Sequence, residues 1–195
     1  MQKPNNYDNT QVSGDFTPVR LGGHHLVIKQ VQETQSKTGK NMIVILFDMA
    51  AGDDQADYFS KEFHDDIRPD KKWPRNGRQY VVVEDNEGNC SKSFKTFINC
   101  VEKSNSGFKT EWGDAFCSQF KNKKVGGVFG EVENEYNGRS TMRHELRWFC
   151  EDSKAEEAKI PAPRMLPNAN KTVGVPASPN DFMVIPDGTD EEILF

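Results

Sequence analysis

The chain has 195 residues, enough for one domain with a real core plus appendages. Only 35% of them are AVILMFWYC, and the formal net charge is -5, with a mean hydropathy of -0.77. There is no apolar run of about 18 residues and no charged-then-apolar leader at the amino end, so a soluble, cytoplasmic chain with no membrane partner is expected.

Residues 1–19 open with a polar, Asn- and Gln-rich stretch and read as a flexible segment. From residue 20 the pattern changes. Leu26 to Val31 alternates as a strand does, and Met42 to Met49 is dense in β-branched and aromatic residues. Ser36-Lys37-Thr38-Gly39-Lys40-Asn41 joins the two as a polar turn of a long hairpin. Tyr58 to Phe63 fits a third strand, residues 64–79 are irregular, and Tyr80 to Val83 fits a further short strand.

The period then becomes helical. Phe94, Phe97, Ile98 and Val101 lie at i, i+3, i+4 and i+7 behind Ser91 or Ser93 as N-cap. Phe116 and Phe120 predict another short helix over 113–121. Lys124 to Val132 and Ser140 to Phe149 read as strands about the hairpin turn Asn137-Gly138. Three strands, a helical segment and two strands is the element order of an OB-fold, a mainly β five-stranded barrel with its helix between strands three and four. Residues 20–150 are assigned to that domain. The glycines at 126, 127 and 130 are expected to permit barrel curvature, not to bind a dinucleotide.

Beyond Glu151 prolines stand at 161, 163, 167, 176, 179 and 186. Residues 151–186 therefore read as a disordered linker, with a reach on the order of 30 Å. Charge divides the same way. Residues 151–195 hold 4 Lys and Arg against 9 Asp and Glu, so the excess acid sits in the tail and the body is neutral. An acidic total does not argue against a polyanionic ligand for the body.

Residues 187–195 place Asp187, Asp190, Glu191 and Glu192 ahead of Ile193, Leu194 and Phe195. Acids leading into apolar anchors read as a peptide for another protein's basic, apolar pocket; the alternative is a solubilising tail. This end resembles the acidic tip of bacterial single-stranded-DNA-binding proteins, which closes on Ile-Pro-Phe and recruits replication, recombination and repair proteins. Leu194 stands where that tip has Pro, which bears on the partner recognised. The resemblance implies partner contacts at Asp190, Glu191, Glu192, Ile193, Leu194 and Phe195.

The body carries Lys37-Thr38-Gly39-Lys40, Lys123-Lys124-Val125-Gly126-Gly127-Val128-Phe129-Gly130-Glu131 and Leu146-Arg147-Trp148-Phe149. In these motifs it resembles a bacteriophage family regarded as OB-fold single-stranded-DNA-binding proteins of replication and recombination cassettes. The resemblance implies a phage protein in a host cytoplasm, coating single-stranded DNA without sequence preference and performing no chemistry.

Such binding asks for cations along a groove and rings on which bases stack. Lys71, Lys72, Trp73, Arg75, Arg78 and Tyr80 offer both within ten residues; the first hairpin adds Lys37 and Lys40, the last Tyr136, Arg139 and Arg143. Trp73 either stacks on a base or caps a core edge, and Trp148 fits either role. Phe59, Phe63, Phe94, Phe97, Phe129 and Phe149 are assigned to the core. Cysteines 90, 100, 117 and 150 form no C-x-x-C pair and lie at no zinc spacing with His, so free thiols and neither metal nor cofactor are expected. Three rival readings stay open: an RNA-binding OB module, a small metal-dependent nuclease using the acidic cluster over 62–66, and a protein adaptor. Oligomeric state is open as well.

Overall fold

The structure, a computed structural model, describes residues 1–5, 7–9 and 17–167. Strands β1 (Gly22–Gln35), β2 (Asn41–Met49), β3 (Arg78–Val82), β4 (Lys124–Tyr136) and β5 (Arg139–Cys150) form one antiparallel sheet in the order β3-β2-β1-β4-β5. Helix α1 (Tyr58–Asp65) lies between β2 and β3 in the chain, and α2 (Lys92–Ser104) between β3 and β4.

β1 carries the architecture because it serves two neighbours. Its first residues, Gly22 to Val27, pair with β4, while Leu26 to Gln35 pair with β2. A bulge between Ile28 and Gln30 lies where the β4 pairing stops, the kind of kink by which one strand can turn between two partners. Odd-numbered β2 residues Ile43, Ile45, Phe47 and Met49 point into one core with Val31, Ile28 and Leu26 of β1. Phe94, Phe97, Ile98 and Val101 of α2 and Phe129 and Phe149 of the last hairpin complete that core. Among the described residues β3 and β5 share no ladder; the 3-10 turn Arg75–Gly77 lies against β5 there.

Helix α2 begins where its cap predicts. The Ser91 hydroxyl accepts from the Phe94 N–H at 3.1 Å. It ends on Asn105, whose amide donates to the Val101 and Lys124 carbonyls at 2.8 Å each, while its oxygen accepts from the Lys124 N–H at 3.0 Å. That clamp fixes α2 to the start of β4.

Several expectations are corrected. Tyr58 to Phe63 is helical, not a strand, and the third strand of the sheet is Arg78–Val82. The deciding group is Asp48, fully buried at the end of β2. Its carboxylate accepts from the Phe59 N–H at 2.9 Å, the Ser60 N–H at 3.1 Å and the Ser60 hydroxyl. Asp57, at the N-cap position, makes no side-chain cap, so a residue from the sheet satisfies the first-turn amides instead. The segment 113–121 holds only turns and the 3-10 turn Ser118–Phe120. The last hairpin is longer than expected at both ends, and Asn137 and Gly138 take φ values of 52° and 73° in its turn.

The first part of the expected linker is not a linker. Residues 151–167 form a strap across the outer face of β1, β4 and β5. A β-carbon on Gly23 would stand 1.7 Å from the Ala155 oxygen, and one on Gly130 2.3 Å from Pro161 Cγ. Close approach is therefore what these two glycines allow. Ala155 is fully buried, and Lys103 of α2 pairs with Glu151 at 2.8 Å. Arg164 then joins β4 in parallel, donating to the Glu131 carbonyl at 2.9 Å and accepting from the Glu133 N–H at 2.8 Å. Residues 17–19 also pack on the body, Val19 in the core and Thr17 accepting from the Tyr58 hydroxyl at 2.8 Å. The remainder of the linker and the tip at 187–195 lie outside the described residues.

Candidate nucleic-acid interface

The face of β2 and β3 away from the core is built by register. Leu46 stands opposite Arg78, Val44 opposite Tyr80 and Met42 opposite Val82. On the other side of β2, Leu46 faces Gln30 and Val44 faces Gln32. Two cross-strand rows result, Gln30-Leu46-Arg78 and Gln32-Val44-Tyr80. Each has an amide at one end and an aliphatic floor; one closes on a guanidinium and the other on a phenol ring. Arg78 and Tyr80 are half-buried, which restricts how their side chains can move. Amide, ring and cation on a rigid sheet are the groups that single-stranded polynucleotide binding employs.

The other expected contacts fall in three places. Lys71, Lys72 and Trp73 lie along the segment that returns from α1 to β3. The Lys71 ammonium sits 4.8 Å over the Phe63 ring, and the Trp73 ring centre is 5.6 Å from that of Phe63. Trp73 donates its indole N–H to the Gly77 carbonyl at 2.9 Å and packs against the core. Its ring thus has an internal role at the core edge. Arg75 is exposed in the 3-10 turn just before β3.

Lys37 and Lys40 sit on the β1–β2 turn. The Ser36 hydroxyl there accepts from the Lys40 N–H at 3.0 Å, and Gly39 takes φ 76°. At the opposite end of β1, pairing with β4 stops at Gly22 and Phe129. Beyond that point the β4–β5 hairpin projects, held by its own ladder and the strap. Tyr136, 72% exposed, faces Arg139 at its tip, and Arg143 faces Val132 lower down. Arg78 and Tyr80 are therefore brought together, whereas the two hairpin turns flank the face from opposite ends of the sheet.

Some residues were not legible as site elements. Gln30 and Gln32 gain their place only from strand register. Trp112 is 71% exposed and sits among Glu111, Gly113 and Asp114, with no basic neighbour in the chain to draw attention to it. Trp148, on β5 opposite Val128, is 45% exposed on the strap side.

A buried polar cluster lies elsewhere. His24, fully buried, has Nδ1 at 3.0 and 3.1 Å from the Asp53 oxygens and Nε2 at 2.9 Å from the Arg20 carbonyl. Asp53 also accepts from the His25 and Gln55 backbone N–H groups at 2.9 Å each. Burial works against the Asp53 carboxylate, yet these hydrogen bonds, that to His24 foremost, hold its pKa far below the usual range. His24, Asp53 and Asp54 are the one group of three metal-type ligands within reach of one another among the described residues. Asp54 is engaged by the Arg20 guanidinium at 2.9 Å, and the set as it stands ties the start of β1 to the turn after β2.

The acidic residues over 62–66 do not converge. Asp66 accepts from Arg68 at 2.6 and 2.9 Å, which lowers its pKa to about 2. Burial first, and then the nearby Asp66 charge, push Glu62 upward. All four cysteines are free; burial raises Cys100 and Cys150 to about 11, so both stay protonated thiols near neutral pH. No helix among the described residues is long and apolar enough to cross a membrane.

Comparison with protein-family models gives no match for this chain, and comparison with curated proteins gives none either.

Proposed function

We propose that this protein binds single-stranded DNA without strong sequence preference through the β2–β3 face, and recruits partner proteins through the acidic-apolar segment at 187–195. The observation that carries this reading is the register that sets the half-buried Arg78 and Tyr80 beside Val44 and Leu46 on the sheet face away from the core. The strand order β3-β2-β1-β4-β5, with β1 shared by two neighbours, supports an OB-type barrel whose seam falls between β3 and β5. The helix between β3 and β4 fits the same architecture. The two cationic turns, Lys37 with Lys40 and Arg139 with Tyr136, flank that face as an electrostatic funnel would. The phage resemblance of the body and the resemblance of the tip point to the same role in replication or recombination.

The test is a titration of the full chain with labelled oligo-dT, an RNA of equal length and a duplex, at two salt concentrations. The expected result is preference for single-stranded DNA. If about five phosphates are neutralised, log K against log salt should slope near -3.5, from roughly -0.7 per contact. Salt-insensitive affinity or preference for duplex would overturn the reading, and preference for RNA would turn it into an RNA-binding module. Recruitment is tested separately by pull-down with intact protein, Phe195→Ala and a chain lacking 187–195. Both variants should lose the partners while keeping DNA affinity; equal recovery by all three would make the segment a solubilising tail.

A further inference from the structure

Beyond the β2–β3 face, at the far end of β3, the chain forms an open groove of about 850 Å³ between the 83–91 loop, α2 and the loop carrying Trp112. Val83 and Phe94 give it an apolar wall, and Lys92, Lys95, Glu84 and Trp112 surround them. Trp112 is the notable member. Its ring is 71% exposed. Its position is fixed. One face lies against Phe116, with ring centres 5.3 Å apart and planes 11° apart, and Phe116 is itself buried in the core. The residue before it is locked as well: the Glu111 N–H donates to the Gln119 side-chain oxygen at 2.8 Å, and the Gln119 amide donates back to the Glu111 carbonyl at 2.7 Å. The other face of the indole is left open as a rigid platform.

Charge on the α2 side complements that platform. Lys92 and Lys95 are exposed on the first turn of α2, and neither has an ion-pair partner among the described residues. The positive end of the α2 dipole adds to them. Glu84 is occupied by the Asn41 amide. Glu111 and Asp114 adjoin Trp112 in the chain, so a ligand must bring its negative charge to the lysine side and an uncharged π-face to the tryptophan. A nucleotide of a single strand has that division.

We infer that this groove is a second contact for single-stranded DNA, in which a base stacks on the open face of Trp112 and an adjacent phosphate pairs with Lys92 and Lys95. This rests on the single-strand-binding reading above and extends it in length. Val83 follows the end of β3 and packs against the core, whereas Tyr80 lies on the opposite face. Their backbones are about 10 Å apart, so a single strand of DNA passing from Tyr80 to the groove rounds the end of β3.

The experiment uses the full chain, its Trp112→Ala variant and its Lys92→Glu/Lys95→Glu variant. Each is titrated with oligo-dT of about 5 and about 15 nucleotides, the span of site sizes for such domains. All the changed residues are exposed, and thermal melting checks that the fold is intact. On the long oligonucleotide, Trp112→Ala should weaken binding about tenfold, and the lysine variant should flatten the salt slope by about 1.4. On the short one, which the β2–β3 face can hold by itself, both variants should match the wild type. If the wild type binds and neither variant differs at either length, the groove is no part of the DNA path and the inference falls while the proposed function stands. If the wild type binds neither oligonucleotide, both fall together. A peptide copying residues 184–195 is the control ligand. If it quenches the fluorescence that Trp112→Ala removes and oligo-dT does not, the groove is a peptide site and the inference is overturned.

Discussion

The carbonyl oxygen of Ala155 fills the space in front of Gly23, 1.7 Å from where a β-carbon would stand. The strap and β1 are therefore fitted to each other backbone to backbone. Gly23→Ala should lift the strap, because neither partner at this contact is a flexible side-chain end. The expected loss is about 1–3 kcal/mol of stability, with faster amide exchange over 152–166. Unchanged exchange in that stretch would show that the strap contributes little to the fold.

Asp48 supplies the cap that α1 lacks in its own sequence. Asp48→Ala removes an acceptor for the Phe59 and Ser60 amides and leaves them buried without one. Unfolding in urea should show a loss of about 2 kcal/mol or more. The effect should concentrate in α1, with exchange of residues 59–63 rising before that of β1 or β4. A loss spread evenly over the domain would argue against a local capping role.

His25 gives the strap a dependence on pH. Its ring lies 2.8 Å from Asp152 and 3.5 Å from Glu156. The hydrogen bond to Asp152 raises its pKa above the usual 6.5, against burial, with the charge of Asp152, a further hydrogen bond to Glu156 and the charge of Asp53 acting in the same direction. A group whose folded pKa is raised stabilises the fold fully below its unfolded value and loses that contribution as pH rises through the folded one. Protection of the amides over 152–156 should therefore be greatest below about pH 6.5 and decline as pH climbs past the raised value. His25→Gln should abolish that decline. A profile of the same shape in the variant would place the titration elsewhere.

Tyr80 and Trp73 should separate binding from stability. Tyr80→Ala is expected to weaken oligo-dT binding by about 1–3 kcal/mol, with a smaller effect on unfolding, since Tyr80 lies on the face away from the core. Trp73→Ala should instead cost about 2–3 kcal/mol of stability, because its ring leans on Phe63 and its N–H is bound to Gly77. Fluorescence anisotropy and urea titration on both variants decide the matter. Equal effects of the two on affinity per folded molecule would return Trp73 to the binding face.

What could be read from the sequence follows from how local the determining contacts are. α2 was legible because Phe94, Phe97, Ile98 and Val101 repeat at helical spacing behind a Ser cap that acts within its own first turn. The Asn137-Gly138 turn was legible because its positive φ values restrict residue choice locally. α1 was not, since Tyr58 to Phe63 is short and its cap comes from Asp48 on another element. The strap was not, since its composition is that of a linker while the residues that admit it, Gly23 and Gly130, lie on β1 and β4. Of the candidate interface, Arg78 and Tyr80 stood out by type and spacing. Gln30, Gln32 and Trp112 acquire meaning only from strand register and from the loop locked by Gln119.

Beyond Phe129, β4 pairs with no strand on its β1 side among the described residues; Arg164 takes up the main-chain groups of Glu131 and Glu133 there, and the Arg147 guanidinium also donates to the Glu131 carbonyl. Leu166 adds a bond from its N–H to the Glu133 carboxylate at 3.0 Å. A chain ended at residue 150, where composition would set the domain boundary, would leave that stretch of edge bare. Bare edges recruit strands from neighbouring molecules. Such a fragment should therefore self-associate and lose soluble yield, whereas one ended after 167 keeps the edge occupied and stays dispersed.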